Sequence, residues 1–201
     1  MTDIIVVDNV IPVDYQNHLA TLMTSFDFPW VFNNHMVSGD VDFKEDPNNH
    51  PGFNHFFYEK RAPTSTFFQL LYPLVLSITS QTGVSFNQLI RMRANLTLCN
   101  SSSTQDHHMP HIDSFYPHWN AIYYVNDSDG DTVIFNETND TYDSGQDDIL
   151  KIKHGKFTIK QRITPKQGRL VAFSGKYYHS SSPARSHRYR CVINMNLGKI
   201  L

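Results

Sequence analysis

Residues 89–98 read Leu-Ile-Arg-Met-Arg-Ala-Asn-Leu-Thr-Leu, and this stretch decides the fold. Ile90, Met92, Ala94, Leu96 and Leu98 alternate with Arg91, Arg93, Asn95 and Thr97. A period of two is what a half-buried strand requires: one face packs on a core, and the other looks into solvent or a polar cavity. Near the far end the same division returns, with Arg190, Val192, Asn194 and Asn196 set against Cys191, Ile193, Met195 and Leu197. Between these two strands the sequence predicts further strands over 118–125, 132–135, 157–162 and 169–173, separated by turn-rich NDSDGD and TPKQG.

Upstream of residue 87 the pattern is different. Ile4 to Val10 is a β-branched run that reads as a short buried strand ending near Pro12. Tyr15, Leu19, Leu22, Met23 and Phe26 then fall at helical spacing, with Asp14 placed to cap the first turn. Residues 27–64 mix aromatic residues with Pro, Gly and Asn, which predicts an aromatic loop with short strands, packed on the core or covering the mouth of a pocket. His35, His50 and His55 within it read as surface or packing histidines. A second helix is expected over 65–82, kinked or broken at Pro73 and terminated by Gly83. Helices followed by many short strands give an α+β, mainly β protein whose core is a β-sandwich or jelly roll. No internal repeat is visible.

Composition narrows the class. A chain of 201 residues with 40% hydrophobic content can bury the core of one domain, which we expect to span 1–201, with 1–87 as N-terminal support and 88–198 as the jelly-roll core. The formal charge of −2 gives no overall field toward nucleic acid or an anionic membrane. Cys99 and Cys191 are too few for a disulfide framework, and Asn-x-Ser/Thr triplets at Asn95, Asn100, Asn126, Asn136 and Asn139 carry meaning only in a secreted chain. With no signal-like start and no membrane-length apolar run, a cytoplasmic location is the expectation. Asp127, Asp129 and Asp131 lack the glutamate spacing of a calcium loop, and the acidic segment 136–148 reads as a solvated loop.

The chemistry-bearing stretch is His107-His-Met-Pro-His111-Ile-Asp113. His111 and Asp113 are two apart, so on an extended strand they point to one side; His179, 68 residues beyond His111, follows a strand-like RLVAF and a short turn. Two imidazoles and one carboxylate on one face of an octahedron leave positions open, as in non-haem Fe(II) oxygenases, although the same set also suits catalytic zinc. His107 and His108 compete as ligands. Arg190 lies on the polar face of the last strand, where its planar fork can meet an anionic cosubstrate. Arg93 and Asn95 project from the same polar side, either as walls of a substrate mouth or, equally, as structural hydrogen-bonding groups.

His111-x-Asp113, AIYYVN at 121–126, GDTVIF at 130–135, GRLVAF at 168–173, His179 and Arg190-Cys-Val-Ile-Asn194 occur in this order. Together they resemble the 2-oxoglutarate and Fe(II)-dependent dioxygenase superfamily, in an order similar to its prolyl-hydroxylase-like branch and to short oxygenases encoded by bacteriophages. The resemblance covers about residues 88–198. It implies a double-stranded β-helix with helices packed on one sheet, with His111, Asp113 and His179 as iron ligands. Tyr124 and Arg190 match the positions that bind the far carboxylate of 2-oxoglutarate, with Arg188 a competing position for Arg190. The implied activity is hydroxylation with Fe(II), 2-oxoglutarate and O2, supported by ascorbate, which yields succinate and CO2. A protein side chain of prolyl type is the first expected substrate and a small molecule the second; nucleic acid and membrane are disfavoured as partners. The resemblance implies no catalytic side chain beyond the iron site. The alternative is a non-catalytic jelly-roll module that binds a metal or small molecule.

Overall fold

The strands form two antiparallel sheets. In this computed structural model the described residues are 3–37, 49–142, 152 and 155–198. Strand β1 (Ile4–Val7) and helix α1 (Val13–Met23) are followed by β2 (Val31–Asn33), β3 (Gly52–Glu59) and β4 (Ala62–Pro63). Helix α2 (Phe68–Thr82) leads into β5 (Gln88–Leu98), β6 (His118–Tyr124), β7 (Thr132–Thr138), β8 (Ile159–Ile163), β9 (Leu170–Ser174), β10 (Tyr177–Ser181) and β11 (Tyr189–Gly198). The large sheet has the order β1-β9-β6-β11-β5-β3-β2, with β4 beside β3; the small sheet is β10-β7-β8. This is the expected mainly β jelly roll.

The alternation in β5 and β11 sorts side chains onto the two faces of the large sheet. Met92, Ala94, Cys191, Ile193 and Met195 join Leu19, Met23, Leu71, Leu74 and Ile78 in one buried cluster, so both helices pack on that face. Ile122, Tyr124, Val171, Phe173 and Val192 face the other way and meet Ile134, Ile163 and Tyr177 of the small sheet. Arg91, Arg93, Asn95 and Thr97 share this second side. They pair across the ladder with Asn196, Asn194, Val192 and Arg190, respectively.

Several local expectations are corrected. The 27–64 segment contains an eight-residue strand, β3, paired with β5. Its period was hidden because aromatic residues occupy both faces and the register shifts between Phe56 and Tyr58. The segment does pack on the core, through Phe28 and Phe57, while positions 38–48 lie outside the described residues. Helix α1 ends at Met23, and Phe26 is fully exposed rather than on its apolar face. Pro12, with its fixed φ, stands at the N-cap position, and no side chain, Asp14 included, caps the helix. Helix α2 runs through Pro73 and stops at Gly83, which takes the left-handed conformation that a side chain would resist. His179, after the short turn that follows RLVAF, sits at the middle of a strand, β10. Asp127 accepts the Gln167 N–H, and Asp129 accepts the backbone N–H groups of Arg185, Ser186 and His187, so both brace loops. The part of the acidic segment at 143–148 lies outside the described residues.

Gly168 closes the turn before β9 at φ +80°, its N–H donating to Tyr124 and its carbonyl accepting from Val10. A Cβ there would lie 2.2 Å from Oε1 of Gln16, which is itself buried and bonded to the Ile11 carbonyl. Gly168→Ala is therefore expected to destabilise the protein by about 2–4 kcal/mol through left-handed strain plus overpacking. Gly83→Ala, with positive φ but nothing within 4 Å, should cost only about 1 kcal/mol. Urea midpoints at unchanged slope would measure both.

Candidate metal centre

His111 and Asp113, from the segment before β6, and His179, from β10, come to one point. His111 and His179 form an isolated antiparallel bridge, each backbone N–H donating to the other's carbonyl at 3.0 Å. One ligand atom from each of the three side chains lies within 4.8 Å of the others. Nδ1 of His111 is 3.1 Å from the Met109 carbonyl, and Nδ1 of His179 is 3.3 Å from the Tyr177 carbonyl. A carbonyl only accepts, so both Nδ1 atoms carry the proton and both Nε2 lone pairs are left for a metal. Burial, followed by neighbouring His179, pushes the His111 pKa down to about 3, which keeps it neutral.

Asp113 is the charged member. Its side chain is 1% exposed, and burial would raise its pKa. Arg91 overcomes burial and holds it well below the usual carboxylate range. Arg91 Nη2 donates to Oδ1 at 2.8 Å, while the amides of Asn194 and Asn196 donate to Oδ2 at 2.8 and 3.2 Å. Arg91 Nε also donates to the Asn196 side-chain oxygen, and the Asn196 amide continues to Asn120. Arg93 approaches to 3.9 Å, and burial lowers its own pKa to about 10.

An inner pocket of about 60 Å³ is walled by both histidines and by Arg93, Asn95, Thr132 and Arg190, among others. Five of its polar atoms are buried without a hydrogen-bond partner: Arg93 Nε, Asn95 Oδ1, His179 Nε2, Ser180 Oγ and Asn194 Oδ1. Buried polar groups are otherwise almost always paired, so this concentration marks a place built for a ligand. Two histidine nitrogens and a carboxylate, with an orphaned Nε2 among them, fit Fe(II) as a donor set.

Arg190 is buried at the other end of this pocket, whereas Arg188 is exposed. Arg190 Nε donates to the Gly130 carbonyl at 2.7 Å and Nη2 to Thr132 Oγ1 at 2.8 Å, and Nη1 has no hydrogen bond among the described residues. Tyr124 is fully buried behind them. It does not line the pocket; its hydroxyl donates to Thr132 Oγ1, and its ring lies under the Arg190 guanidinium. Burial raises the Tyr124 pKa to about 12. His108 bonds Ser181 Oγ and stacks on His50 at 3.5 Å, and His107 packs edge-on against Phe135, so neither joins the cluster. His55 packs against Phe28 and Phe57.

In the sequence, Arg91, Asn194 and Asn196 stand out only as members of polar strand faces. Only the ladder register shows that they converge on Asp113. The stacking of His50 on His108 left no signal in the sequence, since the two lie on segments far apart in the chain.

The profile of the 2OG-Fe(II) oxygenase superfamily matches residues 96–198. Among curated proteins no relative matches. Among solved structures, a Pseudomonas putida prolyl-4-hydroxylase is similar at TM-score 0.58 and 14% identity, over 99% of this chain and 94% of that one. The epimerase SnoN from nogalamycin biosynthesis, an α-ketoglutarate-dependent non-heme protein, gives 0.64 and 13%, over 98% and 78%. A prolyl hydroxylase from Trichoplax adhaerens, in complex with a hypoxia-inducible-factor degradation-domain peptide, gives 0.54 and 12%, over 98% and 84%. At such identities the likeness speaks for the fold.

Two outcomes follow. Arg91→Ala and Asn194→Ala each remove a donor that holds Asp113, and each should weaken Fe(II) binding roughly 10- to 100-fold in an anaerobic titration. Separately, burial and then His50 hold the His108 pKa down at about 2, whereas an unfolded histidine titrates near 6.5. The unfolded chain therefore binds protons first as pH falls, so metal-free protein should lose stability from about pH 7.5 to about pH 5. Urea midpoints across that range should fall, and less steeply in His108→Gln.

Proposed function

From the premise that the chain belongs to the 2OG-Fe(II) oxygenase superfamily, we propose that it is a hydroxylase whose iron is held by His111, Asp113 and His179 and whose 2-oxoglutarate is anchored by Arg190. When bound, iron and 2-oxoglutarate supply the oxidising chemistry, in which O2 and 2-oxoglutarate become succinate and CO2 while one oxygen atom enters a substrate C–H bond. The observation that carries the reading is a His-Asp-His cluster whose two imidazoles line the same small pocket as a buried arginine, the Nη1 of which makes no hydrogen bond among the described residues. We take residues 1–201 as one catalytic domain, with the first 87 residues supporting the jelly roll.

The chain's own residues have separate tasks. The Met109 and Tyr177 carbonyls fix the tautomers of His111 and His179 and so aim both Nε2 atoms inward. Arg91, Asn194 and Asn196 keep Asp113 ionised and fix its oxygens. Gly130 and Thr132 orient the Arg190 fork, which leaves one edge for the far carboxylate of 2-oxoglutarate. Tyr124 acts one bond further back, by fixing the Thr132 hydroxyl. The surrounding apolar wall, including Ile122 and Val192, excludes water from the oxidising centre.

On the resemblance alone, protein prolyl groups are the first substrate expectation and small molecules the second; ascorbate would support turnover. The non-catalytic module is disfavoured by the intact His-Asp-His set and the open edge of Arg190. Purified protein given Fe(II), ascorbate, 2-oxoglutarate and air should form succinate. Asp113→Ala should abolish it, and Arg190→Ala should raise the 2-oxoglutarate KM at least roughly tenfold, the scale of one lost charge-assisted pair. Tyr124→Phe should change KM far less. Absence of succinate from the wild type, together with no charge-transfer absorption on anaerobic addition of Fe(II) and 2-oxoglutarate, would sink the reading.

A further inference from the structure

A second, much larger cavity lies beside the metal centre. This cleft of about 950 Å³ is bordered by Lys60, Arg61, Arg91, Asp113, Tyr116 and Trp119. The volume falls in the range that holds a drug-sized molecule. Arg91 stands between the cleft and the Asp113 carboxylate: it lines the cleft, bonds the carboxylate at 2.8 Å and keeps 19% of its side chain exposed, against 1% for Asp113.

The rim of the cleft carries an unusual turn. Strands β3 and β4 pair as Glu59↔Ala62, so Lys60 and Arg61 alone make the hairpin loop. Both are left-handed, at φ 52° and 65°. Two-residue hairpins of this kind favour Asn-Gly, since left-handed backbone resists longer side chains. Here the loop instead holds two long cations, both exposed and without an ion-pair partner among the described residues. Strain retained at a cavity rim points to use of the side chains. The nearby charges do not cancel them. Lys60, Arg61 and Arg91 give the lining three cations against two carboxylates, Glu59 and Asp113, so a positive excess remains, and burial holds His118 below its ordinary pKa. Tyr116, 72% exposed, and the half-buried Trp119 add flat apolar surface.

We propose that this cleft is the substrate site and that it takes a small amphiphilic anion, a carboxylate or phosphate beside a flat apolar body. Lys60 and Arg61 draw in the anion, and the aromatic wall seats the body next to the Arg91–Asp113 pair. The proposal rests on the oxygenase reading only in naming the occupant a substrate.

The test is equilibrium binding by the full chain, read by the emission of Trp119, with Trp119→Phe identifying its share of the signal. The probes are phenylacetate, phenyl phosphate and the neutral phenylacetamide and acetyl-prolinamide. The anions should bind at least about fivefold more tightly than the neutral probes, the scale of one exposed ion pair. The two anions tell a carboxylate site from a phosphate site. The double variant Lys60→Asn, Arg61→Gly should melt no lower than the wild type, because it relieves the turn, yet lose the preference for anions. Neutral probes binding as well as anions, preference surviving in the double variant, or no saturable binding by either anion would each overturn the proposal. Binding needs neither iron nor 2-oxoglutarate, so a failure to form succinate leaves this result standing, and the reverse also holds.

Discussion

The site depends on keeping one ionised carboxylate out of water. An isolated charge buried in an apolar interior is prohibitively costly and would take up a proton instead. Asp113 stays charged because Arg91, Asn194 and Asn196 all donate to it. Those donors come from two adjacent strands at paired or neighbouring rungs, Arg91 opposite Asn196 and Arg93 opposite Asn194. A one-residue slip in β11 would bring Met195 or Leu197 to the same place and leave the carboxylate without partners. The electrostatics of the centre are therefore a property of strand register.

Register is secured on the other face of the same strands. Met92, Ala94, Ile193 and Met195 are fully buried against the two helices, so shifting the ladder to the wrong parity would expose the helix core and bury arginines in it. The two helices thus contribute to the site without lining it. The small sheet supplies what the ladder lacks. His179 lies on β10 with its ring against Phe173 of the large sheet, and its backbone bridge to His111 ties the ligand loop to that strand. The ladder holds the carboxylate and the bridge holds the imidazoles, which lets two independent parts of the fold set one geometry.

This division explains what could be read in the sequence. Alternation in 89–98 and 190–197 marked both faces correctly, because each strand is polar on one side and apolar on the other. Strand β3 resisted the same reading. Phe53, Phe56 and Phe57 place aromatic residues on both faces, and a register shift breaks the period. The bond from the Tyr124 hydroxyl to Thr132 was not legible, since a hydroxyl-to-hydroxyl contact across strands carries no spacing signal. Arg91 was visible only as a polar-face residue. Its partner is 22 positions away, in a loop that no periodicity describes.

The two cavities place opposite demands on their residues. Around the inner pocket the cations are committed: Arg190 is oriented by Gly130 and Thr132, and Arg93 is buried beside Asp113. Such a wall fixes one small ligand and tolerates little change. At the cleft rim, Lys60, Arg61 and Tyr116 are exposed on a hairpin and a loop, outside the β5–β11 ladder, so they can change without disturbing Asp113. Arg91 is the exception, because it faces the cleft and holds the carboxylate at once. An anion settling beside Arg91 would share its donors with Asp113, and what occupies the cleft would then be felt at that carboxylate through a single guanidinium.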